Sequence, residues 1–448
     1  MNFLSLCFLG AMPLLFISYN HIPVRFRAFL LLVASWGFYL HGSPESFWIL
    51  LLVTLISYIF GKELEKEKSV FLLTTGITLI LSFLVVFKYL GLGLSLPVGI
   101  SFYTFQTISY LIDVYRQDSH AEKNLLKYAL FVSFFPQLVA GPIERPGKLI
   151  PQLKSCEKAS PSQIKDGLTL LCLGYFKKVS VADFFAPLVD AVFDNPDLAS
   201  GPSVLFASIL FSLQIFADFS GYSDIARGSA KLFGIELSLN FNHPYLSDSL
   251  RDFWKRWHMT LTRWLTDYIY IPLGGNRKGQ MRLVLNTLIV FIVSGIWHGA
   301  GLKFILWGLG HGLIVLLEDI TTIKRFRGRL PRAIRIIINF LIVNFLWIFF
   351  RAKNMTTAAI LIMQFPRNWS NALDNIRDTY YIAGISFDVG ILFTITGVLS
   401  LYLLPKYLEN KKIIGKAAVI IIMAMAVIFT RMYQLESGIE NAFIYFRF

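Results

Sequence analysis

Ser69-Val-Phe-Leu-Leu-Thr-Thr-Gly-Ile-Thr-Leu-Ile-Leu-Ser-Phe-Leu-Val-Val-Phe-Lys-Tyr-Leu90 is an unbroken apolar stretch, long enough as a helix to cross the ~30 Å hydrocarbon core of a bilayer. Outward from it, apolar stretches that cross or nearly cross run roughly at 2–19, 26–41, 45–61, 98–115, 203–219, 282–298, 303–318, 333–350, 385–405 and 416–431. With 69–90 they make about eleven candidate spans. Composition agrees: of 448 residues, 55% are hydrophobic and 16% charged, against roughly 45–50% apolar and about 25% charged in soluble domains. That pairing excludes an ordinary globular enzyme, and 15% aromatic residues suit a lipid-facing surface. Mean hydropathy is +0.59. Polar low-complexity and heptad-charged stretches are absent, which excludes disorder and coiled coils. The expected fold is an all-α polytopic membrane protein. Residues 127–142 and 164–193 are amphipathic or Pro-interrupted and fit re-entrant or interfacial helices better than full spans. The polar stretch at about 366–384 fits an outer-face loop or amphipathic helix.

The net charge of +14 has a topological explanation, because cytoplasmic loops of membrane proteins are rich in Lys and Arg. Arg25, Arg27, Lys62, Lys66 and Lys68 flank the early spans, while the loop His41–Glu45 carries neither Lys nor Arg. This alternation places both termini outside. It puts the run Lys324, Arg325, Arg327, Arg329, Arg332, Arg335, and the run Lys406–Lys416 with Lys411 and Lys412, inside. Attraction of an anionic acyl donor or anionic lipid is the lesser functional reading of the same charge. Cys7, Cys156 and Cys172 lack CxxC spacing, so neither a disulfide framework nor a zinc site is supported. The N-terminus reads as a retained first span rather than a cleaved signal peptide.

Polar groups within apolar sequence are costly unless paired, so those without a topological excuse are informative. In Phe253–Tyr270, helical spacing puts Trp254, Trp257, Leu261, Trp264, Leu265 and Tyr268 on one face, opposite Arg251, Lys255, Arg256 and Arg263. An interfacial aromatic-basic anchor explains all of these except His258, at the border of the apolar face. In Ser294-Gly-Ile-Trp-His-Gly-Ala-Gly301, Gly295 and Gly299 lie one turn apart, a spacing that lets two backbones approach. There His298 is equally readable as a satisfied structural group, a ligand or a base. In Trp307-Gly-Leu-Gly-His-Gly312 the same glycine spacing marks a packing seam, and a structural hydrogen bond is the favoured role for His311. The three histidines do not have metal-ligand spacing. No GxSxG, P-loop or dinucleotide fingerprint is present. The chemistry left to one buried His is proton abstraction from a hydroxyl or thiol, with an acyl group as electrophile. For Asp218, Ser220 and Asp224, placed in a turn just after a span, Asx and Ser turn chemistry suffices.

Several blocks then fall into a recognisable order: Leu96–Tyr110 with Asp113–Arg116, Phe134–Ile143, Asp218–Asp224, Asn240–Tyr245, Trp254–Tyr270 with Ile271–Asn276, Trp297–Ala300 and the terminal Phe443–Phe448. Together they resemble the membrane-bound O-acyltransferases, in the bacterial branch of alginate and peptidoglycan O-acetyltransferase membrane subunits, and more distantly the teichoic-acid D-alanylation membrane protein. The terminal Arg447 departs from the Gln common there. The resemblance implies a funnel of helices with a central tunnel, formed by one domain over 1–448, with 1–95 peripheral, 96–320 the catalytic core and 321–448 C-terminal helices. It implies His298 as the active-site base and His258 as a second signature residue, with Trp297, Trp257, Ser294 and Asn240 contacting substrate. His258 or Ser294 would donate to an oxyanion or orient the donor. No bound cofactor is implied. The donor would be acetyl-CoA or another acyl thioester, and the acceptor an extracytoplasmic polysaccharide. The final transfer would be completed by a separate SGNH-hydrolase-like partner at the bacterial inner membrane. The competing reading is a transport module that hands acetyl to a partner which does all the chemistry. A channel or secondary transporter is weak, because no matched repeat halves or charged pairs are visible.

Overall fold

The computed structural model describes residues 3–409 and 416–436, and among them there is no β-strand. The terminal block with Arg447, both chain ends, and Lys411 and Lys412 lie outside the described residues. The chain forms two compact units: one holds the chain up to Leu171 with Ser223–Leu239, the other Cys172–Tyr222 and the chain from Asn240 onward.

The first unit contains α1 (Leu6–His21), α2 (Val24–Gly42), α3 (Phe47–Lys66), α4 (Val70–Lys88), α5 (Ile100–Arg116), α6 (Leu125–Ser133), α7 (Phe135–Leu138), α8 (Pro146–Ser155) and most of α9 (Pro161–Tyr175). The blocks at 96–110 and 134–143 meet here for identifiable reasons. Gly99 adopts φ +75°, and a Cβ on it would lie 2.4 Å from the Leu138 carbonyl oxygen, so only glycine suits this approach. The carbonyl of Phe131 accepts from the amides of Gln106 (2.8 Å) and Gln137 (3.2 Å). Ser35 accepts from the Phe135 N–H at 3.1 Å while donating to Leu31 at 2.7 Å. Buried polar groups are thus consumed in tying helices together.

The second unit contains α10 (Asp183–Phe193), the first two-thirds of α11 (Gly201–Lys231), α12 (Leu250–Trp254), α13 (Met259–Leu265), α14 (Gln280–His298), α15 (Leu302–Glu318), α16 (Thr321–Arg329), α17 (Arg332–Arg351), α18 (Met355–Gln364), α19 (Ala372–Ile382), α20 (Phe387–Glu409) and α21 (Lys416–Glu436). A π-helical turn, Phe176–Ala182, joins α9 to α10.

Among the described residues six helices are long and apolar enough to cross a membrane: Pro44–Lys66, Val70–Lys88, Gly201–Lys231, Gln280–His298, Arg332–Arg351 and Phe387–Leu408. Leu302–Glu318 with Ile323–Arg329, bent by 77° at the break, makes a seventh candidate. The other apolar stretches fall on helices that are shorter or more polar, such as α1 with Pro13 inside it and α5 with buried Thr104, Gln106, Thr107 and Ser109. In Gly201–Lys231, 83% of the most apolar window is buried inside the protein, against 17% in Val70–Lys88. The first is an interior helix and the second offers most of its surface to lipid.

Two sequence expectations need correction. Asp218, Ser220 and Asp224 do not occupy a turn but lie inside the continuous helix α11. The Phe253–Tyr270 segment is not one helix: α12 ends at Trp254, and His258 takes φ 42°, ψ 54° before α13 starts. The predicted apolar face is nevertheless buried at Trp254, Trp257, Leu261, Trp264, Leu265 and Tyr268. Burial was legible from the pattern, whereas the backbone reversal was not. The polar stretch before α20 includes the short helix α19, as expected.

Candidate functional site

The two signature histidines both belong to the second unit, and different structural devices hold them. Asn240–Asn242 runs beside the turn after α12, with Asn242 N–H donating to Arg256 O and Met259 N–H to Asn240 O, each at 2.9 Å. The side-chain carbonyl of Asn240 then accepts from Thr260 Oγ1 at 2.7 Å and Thr260 N–H at 3.3 Å, and lies 3.3 Å from His258 Nδ1. An amide oxygen only accepts, so Nδ1 carries the proton and the lone pair of the neutral ring is on Nε2. Burial, with 1% of the residue exposed, pushes the His258 pKa down to about 3, because an imidazolium loses its hydration there. Phe219 of α11 packs edge-on against this ring at 4.8 Å.

His298 terminates α14 and is 7% exposed. Its ring meets Trp297 at 4.9 Å, Trp307 at 5.1 Å and Phe350 at 5.2 Å, all edge-to-face. Trp297 also meets His258, at 6.1 Å, so one indole stands against both imidazoles. Close helix approach makes this possible. A Cβ on Gly295 would lie 2.2 Å from Phe304 O, and one on Gly308 would lie 2.2 Å from Phe291 O. The glycine spacing therefore does bring α14 and α15 into backbone contact. Ser294, 2% exposed, lies one turn before His298. Trp257 stacks on Phe253 at 5.5 Å and touches Phe241 and Trp347 at 5.0 and 5.2 Å, so it is enclosed by other rings. His311 accepts from Trp254 Nε1–H at 3.3 Å, the structural hydrogen bond expected for it.

Sequence reasoning did not single out Lys178, Asp183, Phe219, Trp307, Trp347 or Phe350. Lys178 Nζ lies 2.6 Å from Asp218 Oδ1 and 2.8 Å from Asp183 Oδ1, with all three side chains at most 3% exposed. Unpaired, any of these charges would be expensive so deep in the protein. The available signal was the Lys177-Lys178 pair inside the otherwise apolar 164–193 stretch. Asp218 sits on α11 between Phe216, which packs on Trp257 at 6.4 Å, and Phe219. The ion cluster thereby fixes the register of the helix face that lies on His258. Among the described residues, no group of three or more His, Cys, Asp or Glu is arranged to hold a metal ion.

Chemically, the arrangement offers one imidazole with an assigned acceptor nitrogen, a second at a helix end among rings, and an indole against both. An imidazole lone pair can accept the proton of a hydroxyl, and the lowered pKa of His258 makes that ring the poorer base.

Comparison with known proteins gives a consistent result. The model of the MBOAT, membrane-bound O-acyltransferase family matches residues 46–358. A probable alginate O-acetylase AlgI from Azotobacter vinelandii is 36% identical over 78% of this chain and 74% of its own length. Its counterpart in Pseudomonas aeruginosa is 35% identical, over 75% of this chain and 68% of that protein. A peptidoglycan O-acetyltransferase from Helicobacter pylori is 39% identical over 60% of this chain and 56% of its own length.

Proposed function

The chain belongs to the membrane-bound O-acyltransferase family and is a multi-pass membrane acyltransferase, and from this premise we propose that it moves an acetyl group from a cytoplasmic thioester, such as acetyl-CoA, to a hydroxyl acceptor for O-acetylation of an extracytoplasmic polysaccharide of peptidoglycan or alginate type. His298 is the general base. The supporting observation is the pairing of two buried imidazoles on one indole, Trp297. In the step, the acceptor oxygen forms a bond to the carbonyl carbon as its proton passes to His298, and the carbonyl electron pair moves onto oxygen. The oxyanion then collapses, the C–S bond breaks, and the thiolate takes the proton from His298. His258, whose Nε2 carries the lone pair, orients the hydroxyl, and Asn240 and Thr260 fix its tautomer. Ser294 donates a hydrogen bond to the acyl donor, and Trp297 and Trp257 wall the path. The six to seven spans of the described residues and the remaining apolar helices are read as about eleven crossings around a tunnel, with both termini outside the bacterial inner membrane. Residues 96–320 form the core of a single 1–448 domain, 1–95 its periphery and 321–448 its C-terminal helices. Delivery to the glycan is completed by an SGNH-hydrolase-like partner.

The second reading is a transport module that hands the acetyl group to a partner, which the same two buried imidazoles on one indole would equally serve. Purified protein supplied with labelled acetyl-CoA and a small polyol separates the two. Label on the polyol without a partner supports transfer by this chain. Label that reaches an acceptor only when the partner is added, and never rests on this chain, supports transport. His258→Ala is expected to cause a large loss, less complete than that of the base.

A further inference from the structure

His311 does more than tie α15 to α12. Its Nδ1 accepts from the Trp254 indole N–H, and an indole nitrogen can only donate. The proton of the His311 ring therefore sits on Nε2, as a donor. That Nε2 and the Nε1 of Trp307 are both buried, and among the described residues neither finds a hydrogen-bond partner. Both side chains are fully enclosed, at 0% exposure. The two rings touch, with centroids 5.0 Å apart, and the Trp307 ring also lies 5.1 Å from His298. Buried donors without an acceptor are rare in native proteins, and here two occur on neighbouring rings, one of them against the proposed base. The surroundings are aromatic, including Phe253, Phe291, Trp347 and Phe350, which suits an uncharged guest oxygen.

We propose that His311 Nε2–H and Trp307 Nε1–H donate to the carbonyl oxygen of the acyl group, and so stabilise the oxyanion formed when the acceptor attacks. This rests on the reading of His298 as base, since attack there puts the negative charge beside these rings. During the step the carbonyl electron pair moves onto that oxygen while both donors keep their protons. On collapse that pair re-forms the carbonyl bond, the C–S bond breaks, and the charge leaves on the thiolate sulfur. Trp254 becomes a positioning residue, because its N–H selects the tautomer in which His311 can donate.

The test uses the full chain in nanodiscs, with acetyl-CoA and a polyol as substrates. Trp307→Phe keeps the ring and removes only the N–H. It and His311→Phe are each expected to lower kcat by about 10²-fold, the scale of one lost oxyanion donor, with little change in KM. His311→Gln, whose amide can both accept from Trp254 and donate, is expected to stay within about tenfold of wild type. A 13C-carbonyl methyl-ketone analogue of the thioester should show its C=O stretch at lower frequency on wild type than on Trp307→Phe, a change that a purely structural role would not produce. Wild-type kcat in Trp307→Phe, or an unmoved carbonyl band, overturns the proposal and assigns the donors to a resident water. The carbonyl band is read without turnover, so it tests the donors even if His298→Ala retains transfer and the base assignment fails. Where His311→Phe does not fold, Trp307→Phe carries the test.

Discussion

The two sides of Trp297 each hold a buried imidazole, set among different neighbours. On the His258 side the restraints are polar. Asn240 gathers three donors, the neighbouring backbone pairs with the turn, and the Lys178–Asp183–Asp218 cluster locks the helix that presents Phe219. On the His298 side close packing contributes: two helices are in backbone contact at Gly295 and Gly308, with Trp307 and Phe350 closing on the ring. The contact from His258 Nδ1 to the Asn240 oxygen sets which nitrogen of that ring bears the proton. The lowered pKa of His258 suits a ring that must keep its protonation state.

Breaking each side separately tests this division. The largest effect is expected from His298→Ala, which should lower transfer by about 10²–10⁴-fold with a melting temperature close to wild type, measured by acetyl transfer and by thermal unfolding in detergent. Lys178→Met leaves two buried carboxylates without their cation. It should cost about 3–5 kcal/mol of stability, seen as a lowered melting temperature, while Lys178→Met combined with Asp183→Leu and Asp218→Leu recovers much of it. Gly308→Val forces α14 and α15 apart, and about 1–3 kcal/mol of overpacking should appear as a loss of both stability and activity. Asn240→Ala strips the shared acceptor from His258 and Thr260. About 1–2 kcal/mol is expected, with the loss in kcat exceeding the change in KM.

The smallest effect is a pH dependence of stability. His258 stays neutral in the folded chain until pH falls to about 3, but protonates near 6.5 when unfolded. Its contribution is therefore complete above about pH 6.5 and is lost as pH falls from there toward 3. Between pH 7 and 5.5 this amounts to about 1 kcal/mol, measurable as a drop in melting temperature that His258→Asn should lack.

What the sequence revealed and concealed follows the same division. Periodicity and glycine spacing report packing, so the buried faces of Phe253–Tyr270 and the α14–α15 seam were readable in advance. Pairings between distant residues leave no local trace. Asp218 looked like turn chemistry because its partner Lys178 lies on another helix, and an acidic-serine motif within an apolar run imitates a loop. His258 looked like a helix-border residue because apolar periodicity continued across a break that only its hydrogen-bonded surroundings explain. Trp307 and Phe350 carried no signal beyond apolar character, since their importance lies in what they face.

The left-handed backbone of His258 has a consequence for what substitutions can reveal. At φ 42° and ψ 54°, asparagine and glycine are tolerated far better than alanine or any β-branched residue. A saturation scan of this position should therefore rank expression with Asn and Gly at the top and Val and Ile at the bottom, irrespective of chemistry. Activity normalised to folded protein is the ranking that isolates the imidazole, and the Asn variant, rather than the customary Ala, is its proper reference.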